Sequence, residues 1–178
     1  MNTAEAGPAP QPFRPPPSSV LSLDFQQLKT KLQTYLKPED VGRVEAAYHF
    51  SADAHAGQSR KSGEPYITHP LAVATIVAHF GLDATTIVAA LLHDSVEDTG
   101  MLLSDVEAQF GSDVAALVDG VTKLDRIHFD SKQAQQAAAI RKMLVAMAED
   151  LGVLVIKLAD RLHNMRTIAG LPAAKQVQ

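Results

Sequence analysis

Four acid or imidazole side chains fall within six residues in the stretch His93-Asp94-Ser95-Val96-Glu97-Asp98-Thr99, at the end of the apolar run Ile87-Val88-Ala89-Ala90-Leu91-Leu92. On a helix, His93 and Glu97 stand one turn apart, as do Asp94 and Asp98, so the four form an arc that can hold a cation and a water together. The adjacent His-Asp pair offers one borderline nitrogen and one hard oxygen. That mixture suits manganese, iron or zinc better than calcium. Three carboxylates this close repel one another, and a cation would relieve the repulsion. The bland reading, a solvated helix end with His93 packed inside, stays open on this stretch alone.

A second polar constellation follows an Arg-Lys pair. Gly57 to Pro65 holds two glycines, a proline and Arg60-Lys61, the composition of a loop between apolar segments. Such a loop is either a solvated connector or a clamp for an anion and a flat base, since Arg stacks on rings and both cations hold phosphate. His69 precedes Pro70, which biases its backbone away from the helical region and predicts a fixed position at the entry to the next helix. A third group lies near the end of the chain. Asp160, Asn164, Thr167 and Leu171 recur at i, i+4, i+7 and i+11, which puts a carboxylate, an amide and a hydroxyl in one helical row.

The elements that must carry these groups read as helices. Apolar residues make up 46% of the 178-residue chain and aromatics only 5%, with alanine prominent, which favours closely packed helices in one domain over a sandwich. The fold expected is all-α. Residues 1–19 hold six of the ten prolines and few large apolar side chains, so they are expected to be a disordered tail, with the domain at 20–178. Leu21, Phe25, Leu28, Leu32 and Leu36 predict a first amphipathic helix, and Pro38 opens a second with Val41, Val44, Ala47 and Tyr48 on one face. A third runs from Leu71 to Phe80 and is closed by Gly81. Asp83 caps a fourth that runs through the His93-Asp94 cluster to Thr99-Gly100. Leu103 to Phe110 follows, with Ser104 and Glu107 as a capping box. Val114 to Leu124 and about 135–149 are further helices, separated by a polar stretch at 125–133. The apolar run Val153 to Ala159 is ambiguous by propensity and is assigned to helix because helical spacing continues beyond it.

A formal charge of −4 offers no broad basic field for DNA or an anionic membrane, so any phosphate site must be local. The absence of cysteine excludes disulfides and thiolate ligands. With no long apolar run and no signal-like N-terminus, a cytoplasmic protein is expected.

Taken together, Ala54-His55-Ala56-Gly57-Gln58-Ser59-Arg60-Lys61-Ser62-Gly63-Glu64-Pro65-Tyr66-Ile67-Thr68-His69-Pro70, the 93–99 cluster, Val121-Thr122-Lys123 and Lys157-Leu158-Ala159-Asp160-Arg161-Leu162-His163-Asn164-Met165-Arg166-Thr167 resemble the N-terminal HD hydrolase domain of the Rel/SpoT homologues. These enzymes make and degrade the alarmone (p)ppGpp of the bacterial stringent response. The likeness covers roughly residues 20–171. It implies an HD-superfamily helical bundle in which His69, His93, Asp94 and Asp160 bind one manganese ion, while Glu97 and Asp98 orient and deprotonate the attacking water. Arg60 and Lys61 would hold base and phosphates, and Ser62, Tyr66, Asn164 and Thr167 would shape the pocket around base and ribose. Neither Arg60 nor Asn164 is expected to touch the ion.

The activity implied is metal-dependent removal of the 3′-diphosphate of guanosine tetra- or pentaphosphate. Another HD-type nucleotide phosphohydrolase, or a hydrolase-inactive nucleotide-sensing module, are the alternatives. Long relatives continue into further helices, a synthetase domain and regulatory domains through which they associate with the ribosome. The chain is therefore expected to end before its domain does.

Overall fold

The computed structural model describes residues 18–125 and 151–167, with side chains at 24–124 and 151–167. Eight helical segments occur among them, and no strand. They are α1 (Ser18–Leu32), α2 (Pro38–Ala54), α3 (Thr68–His79), α4 (Ala84–Leu92), α5 (Ser95–Asp98), α6 (Leu103–Phe110), α7 (Ser112–Asp125) and α8 (Leu151–Thr167). The fold is all-α.

Local chemistry explains most of the boundaries. Pro38 is the first residue of α2, where its missing amide and fixed φ cost nothing, and Glu39 and Asp40 follow in the first turn, where the helix dipole favours acids. Asp83 caps α4 by accepting from the Thr86 amide at 2.9 Å. Gly81, at φ 70°, supplies the left-handed residue that lets the chain turn out of α3.

Helix α4 is the centre of the bundle. Every residue described from Thr86 to Leu92 is buried, and α4 packs against α2, α3, α7 and α8. A helix apolar on all sides must be enclosed, as the run Ile87 to Leu92 requires. Helix α1 covers α3 and α2, with the Phe25 ring stacked on Tyr48 at 4.3 Å. Helix α8 lies against α3, α7 and α4, so the ambiguous run Val153 to Ala159 is helical, with Val153, Leu154, Ile156 and Ala159 buried.

Four expectations are corrected. His69 lies inside α3, as its second residue, and not before the helix. The steric bias of a residue before proline is a preference, and in a first turn Pro70 has no intrahelical amide to lose, so the helix extends back to Thr68. The fourth helix does not run through the acidic cluster. It ends at Leu92, and after a turn at His93 and Asp94 the four residues of α5 form a separate helix. Ser104 does not cap α6. The helix begins one residue earlier, and the Asp105 carboxylate accepts from the Leu102 amide at 3.0 Å. Finally, α1 begins at Ser18, inside the stretch expected to be tail. Residues 1–17, the helix expected at about 135–149 and most of the polar stretch at 125–133 lie outside the described residues, as does Leu171.

Candidate active site

Three separate pieces of chain meet at one buried point. His69 comes from the first turn of α3, His93 and Asp94 from the turn between α4 and α5, and Asp160 from the middle of α8. His69 Nε2 lies 3.3 Å from Asp94 Oδ2 and 3.2 Å from Asp160 Oδ1, and His93 Nε2 lies 3.0 Å from Asp94 Oδ1. The nearest ligand atoms of His69, His93 and Asp160 all fall within 4.8 Å of one another.

Hydrogen-bond direction tells what this cluster wants. His93 Nδ1 donates to the Ala90 carbonyl at 2.8 Å, which leaves Nε2 with a lone pair. That Nε2 is buried and has no hydrogen-bond partner. His69 Nδ1 lies 2.8 Å from His163 Nδ1, which frees its Nε2 toward the two carboxylates. Lone pairs of two imidazoles and two carboxylates therefore converge with no hydrogen between them, an arrangement that a divalent cation satisfies. The donor set of two nitrogens and two carboxylates fits such an ion.

The electrostatics agree. Burial opposes ionisation of Asp94, but the neighbouring His93 and His69 outweigh it and hold the carboxyl well below the usual range. Burial likewise opposes ionisation of Asp160, but the His69 ring beside it and its pairing with Lys157 hold the carboxyl below its usual range. His93 is disfavoured as a cation by burial, yet Asp94 and the Ala90 carbonyl raise its pKa overall. Such an electrostatic well attracts positive charge.

Around the cluster stand the other groups singled out in the sequence. Glu97 and Asp98 are exposed on α5. Tyr66 donates from its hydroxyl to Asp98 Oδ2 and lies 2.9 Å from Asp94 Oδ2. Burial and the two carboxylates push the Tyr66 pKa upward, so it remains a donor. Residues 57–65 are not a slack connector. Ser59 and Pro65 form an antiparallel bridge, Arg60 N donates to Glu64 O at 2.8 Å, and Gly63 takes φ 91° in the turn. The turn aims Arg60 at α8, where Nη2 donates to Asn164 Oδ1 at 2.9 Å. Asn164 in turn donates to Asp160 Oδ1 at 2.7 Å. Lys61 and Ser62 are exposed at the tip of the turn. Thr167 is spent within its own helix, its hydroxyl donating to the carbonyls of His163 and Asn164 at 3.1 Å each.

A family model described as "HD domain" matches residues 47–178. The chain belongs to the HD-domain family. Within this HD family its relatives are of the Rel/SpoT kind. It is 51% identical over 152 residues to the bifunctional (p)ppGpp synthase/hydrolase SpoT of Escherichia coli K12, an alignment covering 85% of this chain and 22% of that protein. It is 58% identical over 160 residues to a probable GTP pyrophosphokinase of Mycobacterium leprae, covering 90% of this chain and 20% of the relative. Among solved structures, one described as "A metazoan ortholog of SpoT hydrolyzes ppGpp and plays a role in starvation responses" superposes with a TM-score of 0.57 at 30% identity, covering 75% of this chain and 77% of that one. The chain thus spans about a fifth of the length of the bacterial relatives it matches.

Three HD-site residues escaped the sequence reading. Lys157 is buried and donates to Asp160 Oδ2 at 2.8 Å, and the i, i+3 spacing of an apolar-flanked Lys and an Asp was a usable signal. His55, also buried, stacks on the Tyr66 ring at 4.5 Å and bonds Gln58 Oε1 through Nδ1 at 2.8 Å. Gln58 donates to the Asp98 carbonyl at 3.0 Å, so His55 and Gln58 back the Tyr66 and α5 side of the site. His163 is the third, and nothing in its local sequence marks it out from Arg161 or Arg166.

Proposed function

We propose that this chain, residues 20–178 as one domain, is a guanosine-3′,5′-bis(diphosphate) 3′-pyrophosphohydrolase that uses manganese. It would act in the cytoplasm on guanosine tetra- or pentaphosphate, with neither DNA nor a membrane as partner. The observation that carries the reading is the convergence of His69 Nε2 and the unpartnered His93 Nε2 with the carboxylates of Asp94 and Asp160. Several relatives are named for this activity, among them that of Vibrio cholerae, 49% identical over 152 residues.

His69, His93, Asp94 and Asp160 would hold the ion, which when bound polarises a phosphoryl oxygen and acidifies a water. Glu97 and Asp98, both exposed on α5, would orient that water and take its proton. The water oxygen bonds to the phosphorus next to the ribose 3′-oxygen, the bond between them breaks, and the 3′-oxygen leaves with a proton. Pyrophosphate and GDP or GTP result. Arg60 is a flat cation suited to a guanine face, and Asn164 lies beside it within reach of ribose or base. Lys61 and Ser62 at the exposed turn would meet the phosphates.

The test incubates the purified chain with ppGpp and manganese, with and without chelator. Equal amounts of pyrophosphate and GDP, abolished by chelator, are expected. Release of inorganic phosphate, or equal turnover of an unrelated nucleotide such as dGTP, would favour a different HD phosphohydrolase. Nucleotide binding without turnover would favour a sensing module.

A further inference from the structure

His163 stands between the turn that carries Arg60 and the metal cluster. Its Nδ1 lies 3.1 Å from Arg60 Nη1 and 2.8 Å from His69 Nδ1. A guanidinium only donates, so the His163 Nδ1 facing it must carry a lone pair. The hydrogen shared with His69 must then come from His69 Nδ1. This direction of bonding leaves the His69 lone pair on Nε2, toward Asp94 and Asp160. The opposite arrangement, with a hydrogen on His163 Nδ1, would set two N–H groups against each other at Arg60. It would also make His69 accept on Nδ1 and carry its hydrogen on Nε2, where an ion should sit.

We propose that His163 is a positioning residue of the metal centre, and that Arg60 acts through it to keep His69 in the tautomer able to bind the ion. This rests on the reading of His69 as a ligand, but not on the identity of the substrate. The consequence is that the turn proposed to meet the nucleotide also sets metal affinity, although Arg60 touches no ligand. A substitution at Arg60 is therefore not neutral toward the ion, contrary to what the sequence suggests.

The experiment titrates the chelator-stripped, full 178-residue chain with manganese chloride by calorimetry, without nucleotide. His163→Leu removes the acceptor and should weaken manganese binding by about 10- to 100-fold, the usual effect of losing the group that orients a ligating histidine. His163→Asn places a carbonyl oxygen near the Nδ1 position and should restore affinity to within a few-fold of the parent. His163→Gln carries its carbonyl beyond that position and should stay weak. Arg60→Met should weaken binding several-fold in the parent and clearly less in His163→Leu, where its path through His163 is already lost and only that through Asn164 to Asp160 remains. Parent-like affinity in His163→Leu, equal affinities in the Asn and Gln variants, or an Arg60→Met effect of the same size in both backgrounds overturns the proposal. If the Leu variant does not fold by circular dichroism, the Asn and Gln pair decides. A parent that binds manganese in this His163-dependent way yet releases no pyrophosphate from ppGpp loses the hydrolase reading and keeps this one. A parent that binds no manganese overturns this one directly.

Discussion

A tyrosine hydroxyl carries one hydrogen, and at Tyr66 two carboxylates compete for it, those of Asp94 and Asp98. Once a cation engages Asp94, the hydrogen is free to serve Asp98, so Tyr66 holds a member of the proposed water-activating pair. This differs from a role in shaping the pocket around base and ribose, and kinetics separates the two. If the hydroxyl orients Asp98, Tyr66→Phe keeps the ring stacked on His55 and should lower kcat about tenfold with KM nearly unchanged. A raised KM with kcat intact would return Tyr66 to the pocket wall. Glu97 and Asp98 themselves are separable by isosteric change. Loss of the general base, by Glu97→Gln or Asp98→Asn, should reduce turnover on the order of a hundredfold or more while manganese and nucleotide still bind. Unchanged turnover in both variants would mean that neither is the base.

At the scale of elements, periodicity made the helices legible and left their ends to tertiary context. Apolar residues at helical spacing located α2, α6, α7 and α8, because a helix buries one stripe whatever it packs against. The break at His93 and Asp94 was not legible, since the same spacing reads equally well as one continuous helix. Pro70 misled for a related reason: the sequence gives a local bias, while the packed first turn of α3 overrides it. Of the proposed site, the cluster at 93–98 was visible as residue types and His69 and Asp160 joined it through the family resemblance, whereas His163 meets Arg60 only because the Arg60 turn folds across to α8, 103 positions away in sequence. Close approach of helices is equally invisible in sequence. A Cβ added to Gly120 on α7 would lie 2.7 Å from Val153 Cγ2 on α8, and Val153 is a stiff β-branched residue. Alanine is the better helix former by about 1 kcal/mol, yet overpacking of a tight contact costs about 1–3 kcal/mol. Gly120→Ala should therefore lower the melting temperature, and adding Val153→Ala should recover part of the loss. A melting temperature above the parent's in the single variant would show that α7 and α8 separate easily.

For the whole molecule, the proposed metal site would work as a clasp. Its proposed ligands come from α3, from the turn after α4 and from α8, elements that otherwise touch through apolar side chains packed around α4. Without a cation the convergent lone pairs and carboxylates oppose that packing, and with one they reinforce it. An ion that binds only the folded chain stabilises it by mass action, about 2.7 kcal/mol at a hundred times its dissociation constant. For a chain of this length each kcal/mol moves the melting temperature by roughly 2–4 °C, so saturating manganese should raise it by about 5–10 °C over the chelator-treated protein. The rise should vanish in Asp94→Ala, which removes a ligand lying between both imidazoles, and survive in Glu97→Gln, which leaves the quartet whole. Calcium, which prefers a larger shell of oxygen ligands, should produce a smaller shift at equal concentration. If manganese raises the melting temperature of Asp94→Ala as much as that of the parent, the ion binds elsewhere on the acidic surface and the clasp is not a metal site.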